Sequence, residues 1–213
     1  MPSVAVIDYG MGNLHSIAKA LQHADPGTHV QITADAQAIE AADRVVFPGV
    51  GAIRDCMQAL QQLGLIELIQ QAAQTKPFLG ICLGMQAMLT DSEENDGVSC
   101  LDVLPGHVRR FANDLRNDQG EILKIPHMGW NRVQQKPHPL WQGIAQDSRF
   151  YFVHSYYVVP DRNEDSIATS DYPSPFTCAL ARDNVFAVQF HPEKSQVVGL
   201  RLLQNFLRWN GAA

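Results

Sequence analysis

The stretch Phe78-Leu-Gly-Ile-Cys-Leu-Gly-Met-Gln86 decides the fold. Phe78 to Ile81 is a short apolar run, as expected of a strand buried on both faces, and Gln86 to Leu89 continues it into a helix with no polar loop between. A strand that passes directly into a helix is the repeating unit of a parallel sheet with helical crossovers. Two more such units precede it. Val4-Ala-Val-Ile7 leads through a Gly-rich turn to Leu14, Ile17, Ala18 and Leu21 at helical spacing. Val45-Val-Phe47 is stopped by Pro48-Gly49-Val50-Gly51, after which Ile53, Met57, Leu60, Leu65 and Ile69 read as one long helix. Ligands of such a sheet sit at the carboxyl ends of its strands.

The second half changes character. Phe150–Val153, Tyr157–Val159, Phe176–Leu180 and Val185–Val188 read as short strands separated by Asn, Asp and Pro, an antiparallel or mixed extension of the same core. Val197, Leu200, Leu203, Phe206 and Leu207 mark a closing helix with Ser195 as its N-cap. Thr90 to Val98 reads as a solvated helix end and loop, and Pro126 to Asn131 as a loop with neither helix nor strand period. With 213 residues and no linker or repeat, the expectation is one α/β domain over 1–213, a mostly parallel central sheet with helices on both faces.

Composition narrows the function. The formal charge of -6, with Lys and Arg scattered, argues against a nucleic-acid or anionic-membrane partner. No stretch has the length of a membrane span and the N-terminus lacks a basic segment, so a cytoplasmic protein is expected. Cys56, Cys82, Cys100 and Cys178 form no CxxC pair and have no His at ligand spacing, so free thiols and no metal are expected.

One of those thiols is placed for chemistry. Gly80-Ile-Cys-Leu-Gly84, between a strand and a helix, is the setting of a nucleophile elbow with Cys82 at its apex. The elbow exposes the sulfur at the sheet edge, and a helix N-terminus behind it favours thiolate. Cys56, Cys100 and Cys178 lack that context and read as core residues, the commoner fate of cysteine. Phe190-His-Pro-Glu193 follows the last strand, and its i, i+2 spacing lets Glu193 orient His191, the base that a thiol nucleophile needs. Acyl transfer also needs oxyanion donors; the backbone N–H groups of Val50, from the Pro48–Gly51 segment, and of Leu83, from the elbow, are the candidates. Asp8-Tyr-Gly-Met-Gly-Asn13 lacks the third glycine of a dinucleotide fingerprint and reads as a tight turn with its polar tip at the functional edge.

Gly80-Ile-Cys-Leu-Gly-Met-Gln86 and Phe190-His-Pro-Glu193 together resemble the nucleophile and His/Glu motifs of the class I, triad-type glutamine amidotransferases, and the resemblance runs from Val4 to the closing helix. It implies a flavodoxin-like sheet, L-glutamine as substrate and no cofactor. It also implies that Gly49, Gly51, Gln86, Glu94, Ser155 and Tyr156 hold the glutamine. Gln86 has independent support, one helical turn from Cys82. Asp8–Asn13, Pro48–Ala52, Pro126–Asn131 and Tyr151–Tyr156 are similar to one branch, whose members feed ammonia to a separate TIM-barrel cyclase subunit in a heterodimer. That branch implies Asn13, Met128, Trp130 and Asn131 at the partner interface. Val98–Leu104 departs from the family's Gly-Leu-Gly-Leu-like stretch. The alternatives are the glutaminase of another synthase, such as that making pyridoxal phosphate, and a non-catalytic relative.

Overall fold

The computed structural model describes residues 1–117 and 119–212. Its strands are β1 (Ser3–Ile7), β2 (His29–Thr33), β3 (Arg44–Gly49), β4 (Phe78–Cys82), β5 (Asp91–Ser92), β6 (Val98–Ser99), β7 (Gly106–Arg110), β8 (His127–Gln135), β9 (Ser148–His154), β10 (Tyr156–Pro160), β11 (Ser166–Asp171), β12 (Pro175–Arg182) and β13 (Val185–Val188). The α-helices are α1 (Leu14–Ala24), α2 (Ala36–Ala41), α3 (Ile53–Gln62), α4 (Ile66–Thr75), α5 (Leu83–Ala87) and α6 (Gln196–Arg208). Among the described residues, no helix is long and apolar enough to cross a membrane.

Five strands run parallel in the order β2-β1-β3-β4-β13, the flavodoxin-like arrangement. Alternation along them divides the core in two. Val4, Val6, Val46, Leu79 and Ile81 point to α1 and α6, while Ala5, Ile7, Val45, Phe47 and Phe78 point to α2, α3, α4 and α5. Both faces of β1, β3, β4 and β13 are covered, which is why these strands read as apolar runs, while the edge strand β2 alternates, with His29 and Gln31 exposed. Beyond β13 the sheet turns antiparallel through β12, which pairs β10 and β11; β10 leads on to β7, β5 and β6, while β11 leads to β8 and β9, which add Val133, Phe150 and Phe152 to the α6 side of the core.

The structure corrects several elements of the sequence reading. The long helix is two, α3 and α4, separated by a Schellman turn in which Leu65 N donates to Leu60 O at 2.9 Å and Gly64 N donates to Gln61 O at 3.1 Å. The helix after the elbow ends at Ala87 and does not reach Leu89. Thr90 to Val98 holds the short strand β5 and a 3-10 turn at Glu94–Asp96. Pro126 to Asn131 is mostly strand, the start of β8. The buried stripe of α6 is Gly199, Leu202, Leu203, Phe206 and Leu207, and Val197 lies off it, 78% exposed. Ser195 sits at the N-cap position, but its hydroxyl donates to His191 O and accepts from Tyr151 N. It ties the start of α6 to the functional edge instead of capping the helix.

Candidate active site

Cys82 ends β4 with φ 55° and ψ -110°, a backbone conformation that costs about 1–3 kcal/mol outside glycine. The packing holds it there. A Cβ on Gly84 would overlap the Phe47 carbonyl oxygen, so the chain leaving Cys82 lies directly on β3. On the neighbouring strand the chain runs from β13 through Gln189 and Phe190 to His191. His191 Nδ1 meets Glu193 Oε1 at 2.9 Å, with both side chains nearly wholly buried. A 3-10 turn at Pro192–Lys194 makes the i, i+2 pair possible, and His191 N donates to Tyr151 O at 2.9 Å. Burial pulls the His191 imidazole down, but the nearby Cys82 and the Glu193 carboxylate outweigh it and push it up to about 10, although Nε2 has no partner within hydrogen-bond reach among the described residues of the free chain. A protonated imidazole beside a sulfur nucleophile favours its thiolate form.

A cleft of about 300 Å³ opens over these groups. Val50, Gly51, Cys82, Leu83, Gln86, Glu94, Ser155, Tyr156 and His191 line it, with Pro126, Val153 and His154 closing its far side. Glu193 lies behind His191, where it borders a small void with Asn13, Pro48 and Gly49. The Pro48–Gly51 segment is fixed from below, because the buried Tyr9 hydroxyl donates to Pro48 O at 3.0 Å. Gly49 has no room for a side chain between that hydroxyl and Leu83 Cβ. Glu94, which the sequence placed in a solvated loop, is carried to the cleft by the 3-10 turn after β5. There its carboxylate accepts from Ile53 N at 3.2 Å, and burial raises its pKa above the ordinary range. Among the described residues, no group of three His, Cys, Asp or Glu is placed to hold a metal.

The model of the family described as glutamine amidotransferase class-I matches residues 5–209. The chain belongs to this family. The amidotransferase is 64% identical over 211 residues to the imidazole glycerol phosphate synthase subunit HisH of Methylococcus capsulatus, covering 98% of this chain and 97% of that one. To the protein of the same name from Nitrosococcus oceani it is 58% identical, and both chains are covered in full. A Thermoplasma acidophilum protein described as a GMP synthase subunit superposes with a TM-score of 0.70 over 98% of this chain and 93% of that one, at 18% identity. At that identity the likeness shows the fold.

The amidotransferase also holds groups that its sequence did not announce. Gln189 is wholly buried; its Oε1 accepts from Gln86 Nε2 at 2.9 Å and its Nε2 reaches Cys82 Sγ at 3.7 Å. Gln86 Nε2 also donates to Tyr156 O at 3.1 Å. The apolar run of β13 and the His-Pro-Glu motif flank Gln189, and its signal was a polar residue just past a strand whose residues are all buried. A second buried chain starts from the same Tyr156 carbonyl, which accepts from His154 Nδ1 at 2.8 Å. His154 Nε2 meets His127 Nδ1 at 2.9 Å, and Asn131 Nδ2 reaches His127 Nε2 at 3.2 Å. Burial holds both imidazoles low, His127 at about 4 and His154 at about 3. Asn131, which the branch resemblance implies at the partner interface, turns its amide inward to His127 and to Asp171 O, on the opposite side of β8 from Trp130. Met128 and Trp130 alternate outward along β8, 61% and 43% exposed. Asn13 lies apart from them, beside His191 and Glu193.

Proposed function

We propose that this chain, acting as one domain over 1–213, is the glutaminase subunit of an imidazole glycerol phosphate synthase. It hydrolyses L-glutamine to L-glutamate and ammonia and passes the ammonia to a TIM-barrel cyclase subunit. In this heterodimer of the cytoplasm the cyclase makes imidazole glycerol phosphate and AICAR for histidine biosynthesis. The observation that carries the reading is the convergence of Cys82, His191 and Glu193 at one sheet edge, over a cleft of glutamine size. The identity to the two HisH proteins supports the choice of synthase.

Cys82 thiolate attacks the side-chain carboxamide carbon of glutamine, and the oxyanion takes hydrogen bonds from Val50 and Leu83 N–H. The His191 imidazolium, held by Glu193, gives its proton to the departing nitrogen, which leaves as ammonia. A glutamyl thioester on Cys82 remains. His191, now neutral, takes a proton from water; the resulting hydroxide attacks the thioester, releases glutamate and restores the thiolate–imidazolium pair. Both N–H bonds of Gln86 Nε2 are already used within the protein, so its Oε1 is the group that receives the substrate ammonium, together with Glu94. Released ammonia is a nucleophile only while unprotonated, which is the chemical reason to deliver it directly to a docked partner.

The test is a complex carrying Cys82→Ala. It should release no glutamate from glutamine yet still support synthesis when ammonia is supplied at raised pH. Failure of ammonia to restore synthesis with an intact cyclase would count against the donor role.

A further inference from the structure

The geometry points to Gln189 as a hydrogen-bond donor to the Cys82 sulfur, a catalytic residue that holds the nucleophile as thiolate and aims it into the cleft. This rests on the glutaminase reading of the same site.

The orientation of the two buried amides follows from what each group can do. The Tyr156 carbonyl only accepts, so the Gln86 atom 3.1 Å from it must be the NH2 nitrogen. That same nitrogen stands 2.9 Å from the Gln189 side chain, and an amide nitrogen cannot accept, so the Gln189 atom facing it is oxygen. The remaining end of Gln189 is then NH2, and it faces Cys82 Sγ at 3.7 Å, within the range of an N–H···S contact. Tyr156 O thus fixes Gln86, Gln86 fixes Gln189, and Gln189 presents a proton to sulfur. The position is wholly buried, where a donor without an acceptor is costly and a hydrogen bond to a charged acceptor is stronger than in water.

The site has need of such a donor. The helix behind the elbow, α5, is five residues long, too short to sum the peptide dipoles of an extended helix. His191 supplies charge from the His-Pro-Glu turn, and Gln189 adds a neutral donor that stays in place while the His191 proton moves to the leaving nitrogen and back. A fixed donor also restrains the sulfur at an apex whose backbone is already strained.

Two variants of the full-length chain test this, Gln189→Met, of similar volume, and Gln189→Glu, which keeps an acceptor for Gln86 but offers Cys82 a carboxylate. Cys82 alkylation by iodoacetamide is followed against pH, and glutamine turnover is measured in the complex with the cyclase. A hydrogen bond to a charged group is worth about 1.5–3 kcal/mol, which corresponds to about one to two pH units. Both variants should move the midpoint of the alkylation profile upward by that amount, with Gln189→Glu moving it further. In the complex, kcat should fall roughly ten- to a hundredfold while KM changes less than about threefold. An unchanged alkylation profile in either variant that folds would overturn the assignment, as would a rise in KM at constant kcat, which would make Gln189 a substrate contact. If Gln189→Met fails to fold, Gln189→Glu alone decides, because full activity with a carboxylate beside the sulfur is incompatible with a donor role. A wild-type complex that releases no glutamate would defeat the glutaminase reading itself; normal turnover with unchanged variants would defeat only this inference.

Discussion

At the scale of single residues, the site is held by a few positions whose chemistry allows no substitute. Gly84 and Gly64 separate the two reasons for a glycine. At Gly84 a Cβ would overlap the Phe47 carbonyl oxygen, so Gly84→Ala must push β3 and the elbow apart; a loss of about 3 kcal/mol or more in urea unfolding is expected, with loss of glutamine hydrolysis. At Gly64 nothing lies within 4 Å of an added Cβ, but φ is +67°, so Gly64→Ala should cost only about 1 kcal/mol and leave hydrolysis intact. Equal losses at both positions would contradict this division. His191 carries a pH prediction. Its imidazole is pushed up to about 10, so it is protonated at neutral pH and loses that proton as pH rises through that value. Rates of glutamine hydrolysis should hold through the mildly alkaline range and fall toward pH 10, and Glu193→Gln, which removes the charge favouring imidazolium, should bring the fall to lower pH. An alkaline limit that stays put in Glu193→Gln would exclude the ion pair as its origin. The meeting of Cys82, His191 and Glu193 at one sheet edge was legible because each stands in a local pattern that fixes its place at a strand end. Gln189 was not, because its role depends on Gln86 and Tyr156, distant in sequence.

At the scale of elements, legibility followed the direction of burial. Strands β1, β3, β4 and β13 are buried on both faces and read as uninterrupted apolar runs. Strand β8 inverts the usual pattern, with His127 and Asn131 turned inward and Met128 and Trp130 outward, so alternation in its sequence argues for no buried face at all. The break between α3 and α4 did carry a local signal, Gly64 followed by Leu65, overridden by the helical spacing on either side of it. The inverted strand has a measurable consequence. His127 and His154 bridge β8 and β9 with pKa values held by burial at about 4 and about 3, well below the 6.5 of an unfolded histidine. Below pH 6.5 the unfolded chain takes up protons that the native state refuses, so these two groups make stability fall as pH falls. The slope approaches about 3 kcal/mol per pH unit for two protons. His138, which burial likewise holds at about 4, adds a third proton of the same sign, while His191, raised rather than lowered, stays protonated in the native state and opposes them only until the unfolded imidazole is itself charged, below about pH 5.5. Urea midpoints measured from pH 7 to pH 5 should therefore decline, and a flat profile would mean that the buried imidazoles accept protons without unfolding.

At the scale of the whole molecule, the sheet brings together two things that lie far apart in the chain, the triad edge and the outward apolar face of β8. Trp130 packs edge-on against Tyr151 with ring centroids 6.1 Å apart. Tyr151 in turn takes the His191 N–H on its carbonyl and gives its own N–H to Ser195. A partner pressing on Trp130 therefore bears on the strand that holds the His191 turn. Two exposed large apolar side chains in alternate positions of one strand are what an interface anchor looks like before the partner arrives, and Trp is enriched among such anchors. We expect Trp130→Ala to weaken binding to the partner subunit by about 2 kcal/mol, roughly thirtyfold in Kd, measured by titration calorimetry. Because Trp130 is 43% exposed in the free chain, the isolated variant should lose no more than about 0.5 kcal/mol of stability, the range of ordinary surface substitutions. A large drop in Tm with unchanged partner affinity would instead assign Trp130 to holding β8 on β9 through Tyr151, and the docking surface would have to lie elsewhere on the triad edge.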